Sequence, residues 1–395
     1  MSTTPKSSTA SSIDPAKLHS REPVRYFVPG PTYVLESVRQ QMLRPVVPHR
    51  SPEFLDAYRR IAEALPQVFR SQRPAYVATG SSTLVMESAI VSLVPRRVLN
   101  LVGGAFAERW HEASRLAGKQ ADALRVPYGR AVDPELVRQA LRRAGSRQTY
   151  DAVTVVHNET SSAVVNPVEE IARVVREESD ALVLVDCVSS LASAPFEFDA
   201  WGVDVALAGV QKGLALPPGL TVFTFSAAAE ARAEAMPHRG YYTDFLRYRD
   251  YHPKGTITTP AVPQIWAMDY QLQRVLAEGL EARWERSAAG QRACAQWAAR
   301  HDFRLPAEPS ARSATVTCLE PPPALQEAGL DGAEIVRRLA QRGFAVAGGY
   351  GEWKGRTFRI GHMGEVSPAD LEALFAVLDE VVEEALEVTE AGVSS

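Results

Sequence analysis

The sequence predicts an α/β fold, with a large three-layer α/β/α domain on a mostly parallel sheet and a smaller α+β domain at the C-terminal end. From Tyr26 onward, short apolar runs alternate with longer segments of helical periodicity. Several of the short runs are apolar almost throughout, which is typical of parallel strands covered on both faces. After about residue 260 the order changes, and long helical segments precede separate short strands. We therefore expect a flexible arm at 1–22, a large domain at 23–260 and a small domain at 261–395.

The strands and helices of the large domain are predicted to alternate along the chain. The predicted strands are, in order, PAYVATG, RVLNLVGG, YDAVTVVHN, ALVLVDCV, VDVALAG and LTVFTFS. The predicted helices between them are TLVMESAIVSLV, AERWHEASRLAG, DPELVRQALRRAG and NPVEEIARVVREE. In the third of these helices, Asp133 and Pro134 supply an N-cap and a first helical residue, and Gly145 follows as a stop.

The small domain is predicted to begin where Pro260 and Pro263 interrupt the pattern. Its helical segments are IWAMDYQLQRVLAEG, LEARWERSAAGQRACAQWAARH, GAEIVRRLAQRG and PADLEALFAVLDEVVEEAL. Its strand-like segments are SATVTCLE, FAVAGG and TFRIGHM. The Ser/Thr-rich arm before this fold lacks the apolar core of a secretory signal.

The composition is that of an ordinary globular protein and excludes several function classes. The 395 residues carry a formal net charge of -4, so no general basic field attracts nucleic acid or an anionic membrane. No apolar run reaches the roughly 20 residues that span a bilayer. The three cysteines form no spaced cluster, which argues against a disulfide framework or a zinc site and fits a reducing cytoplasm. The histidines show no ligand spacing, so no metal site is assigned.

Lysine is scarce, and this scarcity narrows the candidates for amine chemistry. Only six of the 43 basic residues are lysines, so the other 37 are arginines, which cannot act as amine nucleophiles. Lys212 follows the buried strand VDVALAG in a glycine-flanked loop, where burial would lower the pKa of its amine. The other five lie in the arm, at a helix end or in polar loops. An ordinary loop lysine remains the alternative for Lys212 when it is taken alone.

Two further motifs suggest partners for this lysine. Asp186 ends the apolar strand ALVLVDCV, at the sheet edge where α/β proteins place ligands. In pyridoxal-phosphate enzymes an acid pairs with the ring nitrogen and a lysine holds the aldehyde as a Schiff base. The strand-to-helix turn ATGSSTLVMES offers backbone N–H groups and hydroxyls to a phosphate, although it is neither a Walker loop nor a dinucleotide fingerprint. Taken alone, the acid also suits a turn or helix cap and the hydroxyls suit N-capping.

Taken together, these motifs resemble one family over the region from Tyr26 to about Leu386. The sequence is similar to class V, fold-type I pyridoxal-phosphate aminotransferases, most of all the alanine:glyoxylate and serine:pyruvate branch. The sequence also resembles the related 2-aminoethylphosphonate transaminases, whose activity is an alternative. The motifs that carry the resemblance are VPGP, ATGSSTLVMES, HNETSSAVVNP, LVDCVSS, GVQKGLALPPG, TITTPAV and TFRIGHMG.

The resemblance implies a set of residues around pyridoxal 5'-phosphate. Lys212 would hold the cofactor aldehyde and carry a proton between the substrate Cα and the cofactor C4′. Asp186 would pair with the ring nitrogen, Phe106 would stack on the ring, and Thr160 would hydrogen-bond the ring hydroxyl. The residues implied at the phosphate are Ser81, Ser82, Thr83 and Gln211.

The resemblance also implies a substrate site and a homodimer. Arg359 would bind the substrate α-carboxylate as a bidentate fork, and Gly30 would let the backbone approach the same carboxylate. Thr256 and Thr259 would reach the phosphate of the neighbouring subunit. The implied reaction moves an amino group from an alanine-like or serine-like donor to glyoxylate or pyruvate by a ping-pong mechanism.

Other functions remain open at this stage. The Tyr/Arg-rich segment 236–255 is the expected specificity segment, and Tyr241, Tyr242 and Arg247 line either the pocket or a solvated loop. A cysteine desulfurase or related lyase on the same fold would need a cysteine on a mobile loop. A non-catalytic ligand-binding homologue is the third alternative, and the presence of both Lys212 and Asp186 argues against it.

Overall fold

The computed structural model describes residues 25–393 and centres on a seven-stranded sheet, so the arm predicted at 1–22 lies outside the described residues. The strand order in this sheet is β1-β9-β8-β7-β4-β2-β3. All six predicted strands of the large domain are present in it. The strand bounds are β1 Ala75–Thr79, β2 Arg97–Val102, β3 Gln120–Arg125, β4 Ala152–Val156, β5 Asn158–Glu159, β6 Val164–Val165, β7 Leu182–Asp186, β8 Val205–Gly209, β9 Leu220–Phe225, β10 Val316–Leu319, β11 Ala347–Gly348 and β12 Phe358–Gly361.

The sheet is mostly parallel, as predicted, with one reversed strand. β9 runs antiparallel to both β1 and β8. The short 210–219 connection from β8 contains no helix, and a parallel return needs a crossover of a dozen or more residues, so the next strand must reverse. β3 is an edge strand that the sequence pattern did not predict. Its residues QADALR are half-exposed and polar at both ends, so they lack the apolar run of a buried strand.

The helices pack on both faces of the sheet and thereby form the three layers. Among the helices, α2 was not predicted, although Ser51 caps it and Pro52 occupies its first position. The helix bounds are α1 Glu36–Gln41, α2 Pro52–Phe69, α3 Ser82–Leu93, α4 Ala105–Leu116, α5 Pro134–Arg143, α6 Val168–Glu178, α7 Phe198–Trp201, α8 Ala227–Glu234, α9 Phe245–Tyr251, α10 Val262–Glu278, α11 Leu280–Arg300, α12 Pro323–Glu327, α13 Gly332–Gln341 and α14 Pro368–Val393.

Buried apolar side chains form one core on each face of the large sheet and another beside the small sheet. α2, α6 and α10 contribute to the core on one face, and α3, α8 and α9 to the core on the other. The antiparallel strands β10, β12 and β11 pack with α11, α13, α14 and Phe27. Trp266 of α10 is buried in the first core, whereas Phe27 is buried in the small one. The division of the chain at 260/261 stays a prediction.

A buried arginine joins three segments that surround the ends of the central strands. Arg283 of α11 donates to the carbonyl of Gly213 at 2.9 Å and to the carbonyl of Gly364 at 3.2 Å. It also pairs with Glu278 at 2.6 Å and Glu365 at 3.4 Å. Burial favours the neutral acid, but Arg283 and the neighbouring arginines outweigh it and lower the pKa of Glu365 to about 2. This ion pair therefore fixes the loop after β8 against the turn after β12.

In the described part of the chain, no helix has the length and apolar character needed to cross a membrane.

Candidate active site

Two titratable side chains meet at the carboxyl edge of the large sheet. Asp186 is the last residue of β7 and is 3% exposed, and Lys212 lies in the turn that follows the neighbouring strand β8. The amine of Lys212 donates to the carbonyl of Pro29. A Cβ on Gly30 would lie 2.5 Å from Lys212 Nζ, and Gly30 has a φ of +123°, which favours glycine. The turn at 29–30 therefore packs directly on the lysine amine.

Burial shifts the pKa values of both groups toward neutrality. It lowers the pKa of Lys212 to about 8, with the cations of Arg359 and Arg109 acting in the same direction and Asp186 opposing them. Burial also raises the pKa of Asp186 to about 7, and the nearby Glu159 carboxylate adds to that rise. The site thus holds an amine that is partly neutral near pH 8 and an acid that can bind a proton near neutral pH.

A polar cradle lies beside this pair, formed by Ser82 Oγ and the side-chain amide of Gln211 above Gly209. A Cβ on Gly209 would lie 2.6 Å from Ser82 Oγ and 2.7 Å from Gln211 Oε1. Within the described residues, Ser82 Oγ is buried and has no hydrogen-bond partner. Ser81 and Thr83 flank it at the start of α3, where backbone N–H groups point out of the helix. The cradle offers several donors to one anion.

The loop before the cradle is held by a tyrosine from the segment 236–255. The hydroxyl of Tyr242 accepts from the backbone N–H of Thr79 and donates to its carbonyl, each at 3.0 Å. Tyr241, by contrast, is 56% exposed, and its ring lies 3.9 Å from the guanidinium of Arg247. Tyr242 therefore supports the loop before the cradle, and Tyr241 and Arg247 pair with each other near the surface.

A buried carboxylate that the motifs did not single out positions the start of α4. Glu159 accepts from the backbone N–H groups of Phe106 at 3.1 Å, Ala107 at 3.0 Å and Ser161 at 3.1 Å. An acid at a helix N-terminus satisfies donors that have no partner within the helix. Glu159 therefore fixes the backbone that carries the Phe106 ring. The only sequence signal for it was its place within HNETSS, beside Thr160.

Arg359 faces the same edge from the central strand of the small sheet. Its Nε donates to the carbonyl of Gly348 at 2.9 Å, and its Nη1 donates to the carbonyl of Thr160 at 3.0 Å. Arg359 is 7% exposed, yet no carboxylate in the described part of the chain lies within 4.0 Å of its guanidinium. The hydroxyl of Thr160 donates to Ser189 at 2.5 Å. The result is a buried cation with N–H groups available to an incoming anion.

Thr256 and Thr259 lie in the partly exposed segment between α9 and α10. Thr256 donates to the carbonyl of Thr258 at 2.7 Å and lines a cavity of about 400 Å³ with His49 and Lys254. In the part of the chain that is described, no hydrogen bond joins Thr256 or Thr259 to the cradle. Their predicted place at the phosphate of a second subunit stays a prediction.

Known proteins resemble this chain over nearly its whole length. A family model described as aminotransferase class-V matches residues 78–351. An uncharacterised aminotransferase of Methanocaldococcus jannaschii is 35% identical, over 93% of this chain and 94% of that protein. A serine–glyoxylate aminotransferase of Methylorubrum extorquens is 32% identical, over 87% of each chain. The crystal structure of a ureidoglycine–glyoxylate aminotransferase from Bacillus subtilis superposes with a TM-score of 0.84 at 28% identity, covering 94% of this chain and 100% of that one.

Proposed function

The chain belongs to the class-V aminotransferase family of pyridoxal-phosphate-dependent transaminases, and we propose that it moves an amino group from a small amino acid to a small 2-oxo acid. Alanine or serine is the proposed donor, glyoxylate or pyruvate the proposed acceptor, and the two half-reactions are proposed to alternate. The observation that carries this proposal is Arg359, a buried cation without a carboxylate partner in the described part of the chain, beside Lys212 and Asp186. A substrate carboxylate would supply the missing anion.

The residues at the sheet edge fit pyridoxal 5'-phosphate. The unpartnered Ser82 hydroxyl and the Gln211 amide converge above Gly209, and a side chain at position 209 would fill that space. Such a cradle of donors at a helix start suits a phosphate dianion. Lys212 and Asp186 would serve the aldehyde and ring nitrogen of the cofactor, and Phe106 its ring face.

Each residue has a chemical task in the proposed reaction. The bound cofactor supplies an aldehyde and a ring that accepts electrons from the substrate Cα. The Lys212 amine, whose pKa burial lowers to about 8, would take the proton from the substrate Cα and deliver one to the cofactor C4′. Asp186 holds a proton at the nitrogen of the cofactor ring. Arg359 orients the substrate through its carboxylate, and Gly30 leaves room for that group beside the lysine.

The named relatives support the acceptor more than the donor. Glyoxylate appears in the names of both the Methylorubrum enzyme and the Bacillus enzyme, while the donors differ, serine in one and ureidoglycine in the other. We therefore propose glyoxylate as the first acceptor to test. For the donor, the proposal rests on the resemblance of the motifs to the alanine and serine branch.

The cysteines give the desulfurase alternative no support. That reaction would need a cysteine on a mobile loop. Cys187 follows the buried strand β7, Cys294 lies within α11, and Cys318 lies within β10. All three thiols are buried, and burial raises the pKa of Cys294 to about 12 and that of Cys318 to about 11. None of these thiols is placed to reach a substrate as a thiolate.

Reduction with borohydride tests the catalytic half of the proposal. Purified protein loaded with pyridoxal 5'-phosphate is reduced, digested and mapped for pyridoxyl peptides, with Lys212→Ala and Lys254→Ala as matched variants. The adduct is expected on Lys212 in wild type and in Lys254→Ala, and is expected to be absent in Lys212→Ala. A protein that carries no adduct on Lys212 is not this enzyme.

Single turnovers test the substrate half. Amino acids are mixed one at a time with the holoprotein, and the absorbance of the bound cofactor is followed. Conversion by alanine or serine, reversed by glyoxylate, is the expected result. A response only to an aminophosphonate or to bulky amino acids would overturn the proposed substrates while leaving the transaminase assignment intact.

A further inference from the structure

The ring of Tyr350 lies between the two side chains that frame the proposed substrate site. Its centroid is 5.9 Å from the centroid of the Phe106 ring, with 26° between the planes. The guanidinium carbon of Arg359 lies 5.5 Å from the centroid of the Tyr350 ring. Tyr350 is 40% exposed and follows β11 in the loop that leads to β12. One face of this tyrosine therefore borders the space in front of the arginine.

The loop that carries Tyr350 is held in place by contacts on its outer side. The hydroxyl of Tyr128 donates to the carbonyl of Tyr350 at 2.9 Å. The ring of Trp353 packs edge-on against the Tyr128 ring at 4.7 Å, and Gly349 N donates to the carbonyl of Thr357 at 2.7 Å. These anchors come from the turn after β3 and from both ends of the loop. The Tyr350 ring is thus a preformed wall of the site.

We propose that Tyr350 is a specificity-determining residue that restricts the proposed reaction to substrates with small side chains. The inference rests on the proposed function, because it takes Arg359 as the group that binds the substrate α-carboxylate. A carboxylate bound through two N–H groups brings its own carbon to about 4 Å from the guanidinium carbon. The substituent on the next carbon then meets the Tyr350 ring. Methyl and hydroxymethyl groups fit beside the ring, whereas a benzyl group collides with it.

The same ring also faces the cation, so two effects need to be separated. An aromatic face near a guanidinium attracts it and helps to orient its N–H groups. Tyr350→Phe keeps both the ring and this attraction. Tyr350→Ala removes both, and Tyr350→Leu removes the aromatic face while keeping part of the bulk. A wall predicts a graded effect of side-chain size that depends on the substrate, whereas loss of orientation weakens every carboxylate alike.

The test measures dissociation constants of unreactive carboxylates on the full-length holoprotein, read from the absorbance of the bound cofactor. Acetate and 3-phenylpropionate are the probes, and Tyr241→Ala is the matched control because that tyrosine is exposed and pairs with Arg247. In Tyr350→Ala we expect 3-phenylpropionate to gain about tenfold in affinity relative to acetate. Tyr350→Leu should gain less, and Tyr350→Phe and Tyr241→Ala should stay within about threefold of the wild-type ratio.

Three results would count against the proposal. An unchanged ratio in both Tyr350→Ala and Tyr350→Leu, with normal acetate binding, overturns the wall and leaves the proposed function standing. Equal weakening of both probes makes Tyr350 an orienting residue for Arg359 and likewise overturns the wall. Failure of wild-type protein to bind either carboxylate, despite a pyridoxyl adduct on Lys212, removes the substrate role of Arg359 and the inference with it.

Discussion

An alanine at position 209 would place a methyl group inside the cradle proposed for the cofactor phosphate. Its Cβ would lie 2.6 Å from Ser82 Oγ and 2.7 and 2.8 Å from the amide oxygen and nitrogen of Gln211. The φ of Gly209 is outside the left-handed region, so the backbone itself accepts an alanine. The expected effect of Gly209→Ala is therefore displacement of the two donors, with little change in the fold of the protein without cofactor.

The size of the effect follows from the bonds that are lost. A hydrogen bond to a charged group contributes about 1.5–3 kcal/mol, and the methyl group displaces two such donors. Loss of both would weaken cofactor binding by about 100-fold to 10,000-fold, since about 1.4 kcal/mol is a factor of ten. Ser82 and Gln211 are side chains that can turn aside, so we expect the lower end, about 100-fold. Ser82→Ala removes one donor and should cost about tenfold.

Equilibrium titration of the protein without cofactor measures this loss, and thermal unfolding of the same samples measures stability. Gly348→Ala is the matched control for these two quantities, because Gly348 also ends a strand and a Cβ there meets nothing within 4 Å. Binding of the cofactor by Gly209→Ala within about threefold of wild type would contradict the proposed place of the phosphate. Early unfolding of the cofactor-free variant, sufficient to explain the weaker binding by lost stability alone, would contradict it as well.

Two further predictions concern the charge of Lys212 in the buried site and the buried ion pair of Arg283 with Glu365. Because burial and the Arg359 cation lower the pKa of Lys212 to about 8, borohydride-trapped capture of pyridoxal 5'-phosphate by cofactor-free protein should rise with pH and level off above about 8. Arg359→Ala should move the midpoint to higher pH and Arg359→Lys should not; equal midpoints in all three proteins would contradict this. Arg283→Met should cost about 3–5 kcal/mol in urea unfolding at pH 7, because it leaves the buried Glu365 carboxylate without this partner, whereas Arg292→Met on the exposed side of the same helix should cost little. The pKa of Glu365 is depressed, so this carboxylate contributes stability above its ordinary pKa of 4.5, and the contribution is lost as the pH falls toward about 2. The stability deficit of Arg283→Met should therefore narrow in acid. A deficit that is constant with pH would rule out the pairing of Arg283 with Glu365 as its cause.

The sequence pattern predicted the buried strands and helices well because burial requires apolar residues at regular positions along the chain. β4, β7 and β8 are covered on both faces, so their residues are apolar almost throughout. β3 is half-exposed, so its sequence lacks the continuous apolar run of a buried strand. The reversal of β9 depends on the length of the connection before it, which is visible in the sequence only after both strands have been placed. The sequence of α2 has an N-cap and a first-position proline at Ser51–Pro52 and regular apolar spacing, so this helix could have been predicted.

The place of site residues at strand ends could be predicted from chain order and Arg359 from the resemblance of its motif, whereas the long-range contacts of Tyr242 and Arg283 could not be predicted. Asp186 and Lys212 each follow an apolar run directly, so their place at the sheet edge follows from chain order. Tyr242 reaches Thr79 across 163 positions, and Arg283 joins segments 70 and 81 positions away. Nothing in the local sequence around Arg283 separates it from the surface arginines. Contacts of this kind are set by the packing of whole elements.

If Arg359 binds the substrate as proposed, its placement would link substrate binding to the chemistry proposed for Lys212. After burial, the Arg359 cation is the next largest influence that lowers the pKa of the lysine amine. A carboxylate bound at Arg359 offsets that charge, so the amine holds a proton more readily once substrate is present. In the proposed reaction, the depressed pKa would favour the neutral amine before substrate arrives. The higher pKa after substrate is bound would favour removal of the Cα proton, so one arginine would adjust the same lysine for two successive tasks.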